Sequence, residues 1–343
     1  MGVFDFVKIF RVNKSISIDL GTANILIYDK QRKKIVLNEP SVVARDRKTG
    51  RLIAVGKEAR EMLGKTPDSI QAIKPLQDGV IADIDSTKEM ITYFIHKIYG
   101  NSLFKPEVMI CVPIEVTSVE RKALFDAVKG AKKTYIIEEG RAAIIGSGVD
   151  ISQPEGSMVI DIGGGSTDIA ILSLDEIIAS KSIRIAGNRF DEDIVRYVKR
   201  KYNLLIGDRT AEKIKKDLGS ALKVQSPEVM EIKGRDLETG IPNTVEVNAN
   251  EIYEAIEDSL FQIVNSTKEV LEKCPPELAA DILDNGIVMT GGGSLIRNFI
   301  DMMEKEVGIK VFLSPNPLDS VVLGGGAAFD NKKLLRTLQM KEN

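Results

Sequence analysis

Two stretches of the chain share one pattern of hydrophobic runs broken by small polar residues. In residues 16–28 a β-rich run ends on Asp19, passes through Gly21, Thr22 and Ala23, and resumes as Asn24-Ile25-Leu26-Ile27-Tyr28. In residues 158–171 a similar run ends on Asp161, passes through Gly163-Gly164-Gly165-Ser166, and resumes with Ile169-Ala170-Ile171. Strand, tight turn, strand is the pattern of a hairpin. Its recurrence at the head of two long halves predicts a duplicated domain. Further strands are predicted at 34–37, 52–55, 107–112, 134–138 and 286–289. Helices are predicted at 87–99, 118–129, 191–201, 210–218, 251–273 and 295–306. The clearest is 251–273, where Ile252, Ile256, Leu260, Ile263, Val264, Val270 and Leu271 recur at helical spacing. Strands alternating with helices give an α/β architecture. Residues 181–247 are more polar, with turn signals at Gly207-Asp208, Gly234-Arg235 and Gly240-Ile241-Pro242, and read as an insertion subdomain in the second half.

Length and composition narrow the class. The chain has 343 residues, enough for two domains with separate cores, and 43% hydrophobic with 28% charged residues is the balance of a globular protein. With 47 basic against 50 acidic residues the formal charge is -3, so no overall field gathers nucleic acid. Cys111 falls in an apolar run and Cys274 just before Pro275-Pro276, a spacing that suits neither a metal site nor a disulfide framework and fits a reducing cytoplasm. The single histidine, His96, lacks the partners that histidine-based catalysis or zinc ligation needs, and reads as structural. No apolar stretch approaches the roughly 20 residues of a membrane span, and no signal peptide opens the sequence.

The glycine turns carry the chemistry. A glycine-rich turn after a strand leaves backbone N–H groups unobstructed for phosphate oxygens, and two such turns facing each other would clamp a polyphosphate. Asp19 and Asp161, each at a strand end, are placed to hold magnesium through water. One such turn alone is more often a plain hairpin; the duplication argues otherwise. Gly64-Lys65-Thr66 resembles the end of a P-loop, but Ala59 stands where the earlier glycine belongs. The dinucleotide fingerprint fails as well, because Gly163-Gly164-Gly165 runs into a strand where a helix is required. A third cluster, Thr290-Gly291-Gly292-Gly293-Ser294, lets the backbone pass close to a base or ribose, while a fourth, Gly324-Gly325-Gly326, reads as a place for close helix packing.

These turns, in this order and at this length, resemble the actin, sugar kinase and heat-shock chaperone ATPase superfamily. Within it the chain is similar to the bacterial actins of the MreB family over nearly its whole length. The matching segments include residues 17–24, 38–43, Val112-Pro113, Val119-Glu120-Arg121, Ile137-Glu138-Glu139, 156–165 and Thr290-Gly291-Gly292-Gly293. The resemblance implies actin-like, duplicated ribonuclease H-like domains with a nucleotide cleft between them. One domain would comprise 1–138 and 311–343, the other 139–310 with the insertion at about 181–247. ATP or ADP with Mg2+ would be the cofactors. Gly21, Thr22, Ala23 and Asn24 would meet the phosphates from one side and Gly163, Gly164 and Gly165 from the other. Glu212 and Lys215, one helical turn apart, would border the adenosine with Gly291, Gly292, Gly293, Ser294 and Leu295.

By the same resemblance Glu139 orients the attacking water and Ser166 assists it. On the residues alone, Glu138-Glu139 also suits a pair of acids at the start of a helix. The family usually has proline after the second glutamate and threonine at 166; here Gly140-Arg141 and Ser166 stand instead. That points to firm ATP binding with weak or slow hydrolysis.

Val3, Phe6, Val7 and Phe10 share a helical face beside Lys8, Arg11 and Lys14, an arrangement that can lie in a membrane interface. Without the family, such a segment equally frays or packs on its own domain. The resemblance puts a membrane-inserting loop at Leu103-Phe104, so Phe4, Phe6, Val7, Phe10, Leu103 and Phe104 are the expected membrane residues. It further implies polymeric filaments of paired strands at the inner face of the cell membrane, serving cell shape or, in a wall-less cell, helicity or motility. Rival readings are a small-molecule kinase, for which no segment supplies a catalytic aspartate and sugar pocket, a chaperone ATPase, for which the chain after Phe329 is too short, and a membrane scaffold with an inactive ATPase.

Overall fold

The computed structural model describes residues 14–100 and 105–339. The expected membrane residues Phe4, Phe6, Val7, Phe10, Leu103 and Phe104 lie outside that range. The chain divides into two compact units. The first holds the described residues up to Val112, then Val116–Glu138 and the chain from Val321 onward; the second holds Pro113–Glu115 and Glu139–Ser320.

The first unit runs β1 (Ser15–Leu20), β2 (Asn24–Asp29), β3 (Lys34–Pro40), β4 (Val43–Asp46), β5 (Leu52–Val55), α1 (Lys57–Met62) and β6 (Ile70–Ile73). It continues with β7 (Leu76–Gln77), β8 (Val80–Ile81), α2 (Ile84–Tyr99), β9 (Glu107–Val112), α3 (Ser118–Ala127) and β10 (Lys133–Glu138). Its main sheet has the order β10-β9-β1-β2-β3. β9 is parallel to β1 and to β10, and β2 is antiparallel to both β1 and β3. The second unit runs α4 (Glu139–Gly146), β11 (Ser157–Ile162), β12 (Thr167–Ser173), β13 (Glu176–Ile183), α5 (Gly187–Tyr202), β14 (Leu204–Leu205) and α6 (Asp208–Leu218). Then follow β15 (Val229–Asp236), β16 (Pro242–Asn248), α7 (Ala249–Glu272), α8 (Pro276–Asn285), β17 (Ile287–Thr290), a 3-10 turn at Gly292–Leu295, α9 (Phe299–Val307) and β18 (Val311–Leu313). Its sheet order, β18-β17-β11-β12-β13, repeats the first with the same strand senses. The duplication read from two hairpins is thus a duplication of whole sheets.

Burial explains the strand patterns. Every residue of β11 and β12 is buried, as expected where a sheet is covered on both faces. α7 covers one face with Ile252, Ile256, Leu260, Ile263, Val264 and Val270. Its start is fixed by a capping box in which Asn248 accepts from the Glu251 amide and Glu251 accepts from the Asn248 amide. Each sheet has its own core: Ile16, Ile18, Ile25, Ile27, Phe94 and Ile110 in the first, and Ile160, Ile169, Phe190, Ile256, Met289 and Phe299 in the second. The chain closes with α10 (Ser320–Ala328) and α11 (Lys332–Leu338). Gly325 and Gly326 let α10 lie against the first sheet, where Cβ atoms would come within 2.2 Å of Ser17 Oγ and 2.5 Å of the Tyr28 ring.

Three expectations need correction. The boundary expected at 311 falls later, because β18 hydrogen-bonds to β17 and carries residues 311–320 with the second unit. Within the insertion expected at about 181–247, residues 181–183 belong to β13 and pair with β12; its small sheet β14-β15-β16 places Leu204, Ile206, Ile232 and Val247 in the same core as the main sheet. The helix expected at 295–306 starts at Phe299, because Asn298 adopts a left-handed φ of 61° and Arg297 bridges to Ser220.

Candidate functional site

In the first unit, β1 and β2 are joined across Gly21, Thr22 and Ala23. A Cβ at Gly21 would come within 2.7 Å of the Asn24 carbonyl oxygen, so this turn closes on glycine alone. Side chains and amides from elsewhere hold it. Ser41 Oγ donates to Gly21 O at 2.7 Å, the Ser41 amide donates to Ala23 O at 3.0 Å, and the Gly79 amide donates to Thr22 Oγ1 at 3.1 Å. Thr22 is buried and Ala23 exposed. The amides of Thr22 and Ala23 meet no backbone acceptor among the described residues. Asp19, half-buried, lies two residues before the turn, opposite Leu26 and Cys111. Asn24 opens β2.

In the second unit the equivalent turn joins β11 to β12, closed by the Gly163 amide donating to Ser166 O at 2.9 Å. Here the support is main chain. The first amides of α5, those of Gly187 and Asn188, donate to Gly163 O at 3.1 Å and Gly164 O at 2.7 Å. From α6, Lys215 Nζ donates to Gly187 O at 2.7 Å and pairs with Asp191 at 2.8 Å. The carbonyls of Gly163 and Gly164 are therefore engaged, while the amides of Gly164 and Gly165 meet no backbone acceptor among the described residues. Glu212 lies one helical turn before Lys215 and pairs with Lys216 at 2.6 Å.

The third glycine cluster meets the end of β11 directly. Asp161 is in register with Thr290, and a Cβ at Gly291 would come within 2.3 Å of Ile162 O and 2.6 Å of Asp161 Oδ1. Gly291 has a φ of 80°, a conformation that favours glycine. A Cβ at Gly293 would strike Ile162 Cγ2 at 2.3 Å, whereas Gly292 is exposed. Ser294 Oγ donates to Gly291 O at 2.6 Å, and Leu295 is exposed beside it. The second unit thus gathers Asp161, the turn Gly163–Gly165 and residues 291–295 at one end of its sheet.

Glu139 and Ser166 are both buried. Glu139 opens α4 directly after β10, so the alternative of an acid at a helix start describes its position too. The neighbouring Asp168 is fully buried on β12, and Oδ1 accepts the Ile114 amide at 3.1 Å. Burial pushes its carboxyl up to about 6, against the Ile114 amide and the Ser182 and Ser166 hydroxyls, which favour the charged form. A Cβ at Gly140 would come within 3.2 Å of both Ala170 Cβ and Ile114 Cδ1. Ile114 and Ala170 therefore fill the room that a larger residue at 140 would use.

Sequence reasoning missed the residues that support the turns. Ser41 lay inside the segment 38–43 that carried the resemblance, but nothing in the pattern tied it to Gly21. Gly187-Asn188 lay in the stretch read as an insertion; the periodic run Phe190, Ile194, Tyr197 and Val198 marks a buried helix face, and with it a helix starting near them. Nothing in the sequence pattern singled out Asp168.

Two sheets of one order, each opening on a glycine turn at the same strand position, define an actin-type fold. The MreB/Mbl protein family model matches residues 13–337, and the chain belongs to that family. It is 49% identical over 321 residues to the cell shape-determining protein Mbl of Bacillus subtilis (strain 168), covering 93% of this chain and 96% of that one. It is 47% identical over 326 residues to the cell shape-determining protein MreB of Escherichia coli (strain K12), covering 93% and 94%. Among solved structures, MreB 5 of Spiroplasma citri bound to AMPPNP superposes with a TM-score of 0.88 at 38% identity, over 95% of this chain and 98% of that one. A MamK double helical filament shares the fold with a TM-score of 0.79 at 22% identity, over 92% and 98%. Among the described residues no helix is long and apolar enough to cross a membrane.

Proposed function

We propose that this chain binds ATP through its two glycine turns and polymerises into actin-like filaments on the inner face of the cell membrane, where they govern cell shape. The carrying observation is the pair of turns at equivalent strand ends, each with two backbone amides that meet no backbone acceptor among the described residues and could donate to phosphate oxygens. The relatives named for shape determination and the Spiroplasma relative bound to AMPPNP and to ADP support the same reading. Thr22 and Ala23, with Gly21 and Asn24, would hold the phosphates from one unit, and Gly163–Gly165 from the other. Glu212, Lys215 and residues 291–295 would border the adenosine. Lys215 also meets Gly187 O and Asp191, which ties it to the start of α5.

Two carboxylates suit magnesium, which keeps much of its water and binds through one or two protein ligands plus phosphate. Asp19 and Asp161 would hold it, and the ion would neutralise phosphate charge. Glu139 would accept a hydrogen bond from the attacking water and so orient it, with Ser166 beside it. Positioning of this kind depends on a fixed backbone, and Gly140 lacks the ring that proline provides next to Glu139, so hydrolysis would be slow. The same glycine favours a second reading, a filament scaffold that holds nucleotide without turning it over. Head-to-tail contacts that do not close generate the filament, and Phe4, Phe6, Val7, Phe10, Leu103 and Phe104 attach it to lipid.

The test is sedimentation of the purified full chain with ATP and magnesium, with and without liposomes, followed by electron microscopy of the pellet. Filaments coating the liposomes are expected; a protein that binds ATP yet stays monomeric and unattached overturns the proposal. Phosphate release above that of Glu139→Ala separates the slow ATPase from the inactive scaffold.

A further inference from the structure

We infer that the edge of the first sheet farthest from its glycine turn is a docking surface for anionic phospholipid headgroups; the inference rests on the membrane attachment proposed above. Strand register puts one row across all five strands. Lys133 pairs with Glu107, Glu107 with Ser15, the Lys30 amide donates to Ser15 O at 3.0 Å, and Asp29 pairs with Lys34. At ordinary strand spacing that row is about 19 Å wide. On it and beside it stand Arg32, Lys33, Lys34, Lys105, Lys132 and Lys133, all exposed. Lys33, Lys34, Lys105 and Lys133 make no ion pair among the described residues.

The acids of this row do not cancel that charge. Asp29 is buried, accepting from Tyr99 Oη at 2.9 Å and the Arg32 amide at 3.0 Å. Glu107 is half-buried and pairs with Lys132 at 3.2 Å, and Asp330 pairs with Lys30 at 2.6 Å. A chain with a formal charge of -3 therefore concentrates positive charge on one edge. The nucleotide does not account for it. Gly21 lies at the other end of the six-residue strand β1, about 20 Å away at 3.3 Å per residue.

The shape of the patch selects the partner. A row of separate ammonium groups on flexible stems suits a plane of headgroups more than one enclosed phosphate. The described chain begins on this edge at Lys14, whose carbonyl accepts the Glu107 amide at 2.7 Å. Gly100, next to Tyr99, and Lys105, two residues before Glu107, flank residues 101–104 in sequence. Lys14 and Arg32 lie over the Tyr99 ring at 5.2 and 5.8 Å. The cations thus stand around Lys14, Tyr99 and Lys105, the described residues next in sequence to both hydrophobic segments, and stable membrane binding takes an apolar signal combined with a basic one.

The test compares vesicles of phosphatidylcholine alone with vesicles containing about one third phosphatidylglycerol, by co-sedimentation of the full chain at low salt. Wild type is expected to bind the anionic vesicles at least about tenfold more tightly. The combined variant Lys33→Gln, Lys34→Gln, Lys105→Gln, Lys133→Gln should lose most of that preference while keeping its neutral-vesicle binding and melting temperature. Replacing Lys48, Lys65, Lys199 and Lys233 by glutamine, all exposed and off this edge, should leave the preference intact. Binding to both vesicles without preference, or a preference that survives in the edge variant or falls equally in the control, overturns the headgroup surface and leaves membrane attachment standing. Binding to neither vesicle overturns both. Binding of a DNA duplex that the edge substitutions abolish, with no preference between vesicles, assigns the surface to nucleic acid and overturns it as well.

Discussion

The two glycine turns occupy the same place in two copies of one sheet, yet they are held by different means. The first depends on side chains: Ser41 Oγ on Gly21 O, and Thr22 Oγ1 under the Gly79 amide. The second depends on the start of a helix, whose first amides fill the carbonyls of Gly163 and Gly164 and whose own position is fixed by Lys215. Duplication preserved the backbone path and left each copy to find its own support. The first turn is therefore sensitive to local side-chain changes, and the second to anything that moves α5.

The largest contrast should come from the glycines themselves. At Gly21 an added Cβ meets a backbone oxygen at 2.7 Å, at Gly163 one at 3.2 Å. Gly21→Ala should cost about 2–3 kcal/mol of nucleotide binding and Gly163→Ala less than about 1 kcal/mol, measured by titration with a fluorescent ATP analogue. Equal losses would mean that the turns are equally tight. Next come the supports. Lys215→Ala leaves Asp191 without its ammonium partner in a largely buried setting and should cost about 2 kcal/mol in stability and weaken nucleotide binding. Ser41→Ala removes one neutral hydrogen bond and should cost about 1 kcal/mol. Denaturant unfolding with and without nucleotide checks that order. The last prediction is a pH dependence and concerns Asp168, whose folded-state value of about 6 lies above the ordinary carboxylate range. The stability it contributes is present below about pH 4 and is lost as pH rises through about 6. Asp168→Asn should flatten that part of the pH dependence, seen as a smaller shift in urea midpoint between pH 4 and 7; an unchanged slope would exclude Asp168 as its source.

Much of the fold could be read in the sequence because the pattern was repeated. Two strands ending on aspartate before a glycine turn marked Asp19 and Asp161, and both sheets grew from those hairpins. The periodic face of 251–273 likewise located α7 to within two residues at its start. What escaped were contacts between residues distant in sequence. Ser41 reaches Gly21 across 20 positions and Gly79 reaches Thr22 across 57, and no local periodicity encodes such pairs. β13 was partly absorbed into the insertion because as the edge strand of its sheet it is only partly buried, and its serine and lysine resemble a loop. The start of α9 was misplaced because Asn298 in a left-handed conformation ends the preceding turn, a choice made by backbone geometry rather than hydrophobic spacing.

The close seating of α10 on the first sheet has one further consequence, for the two thiols. Cys111 lies fully buried beneath that helix, beside Ser17 Oγ and with its sulfur 3.7 Å from the Val321 carbonyl, whereas Cys274 is partly open to solvent. A thiol reagent therefore meets a fast site and a sealed one in the same molecule. The fast site calibrates the reagent, and the sealed one reports how often α10 lifts from the sheet, so the chain carries a chemical clock for its own opening without any label being introduced.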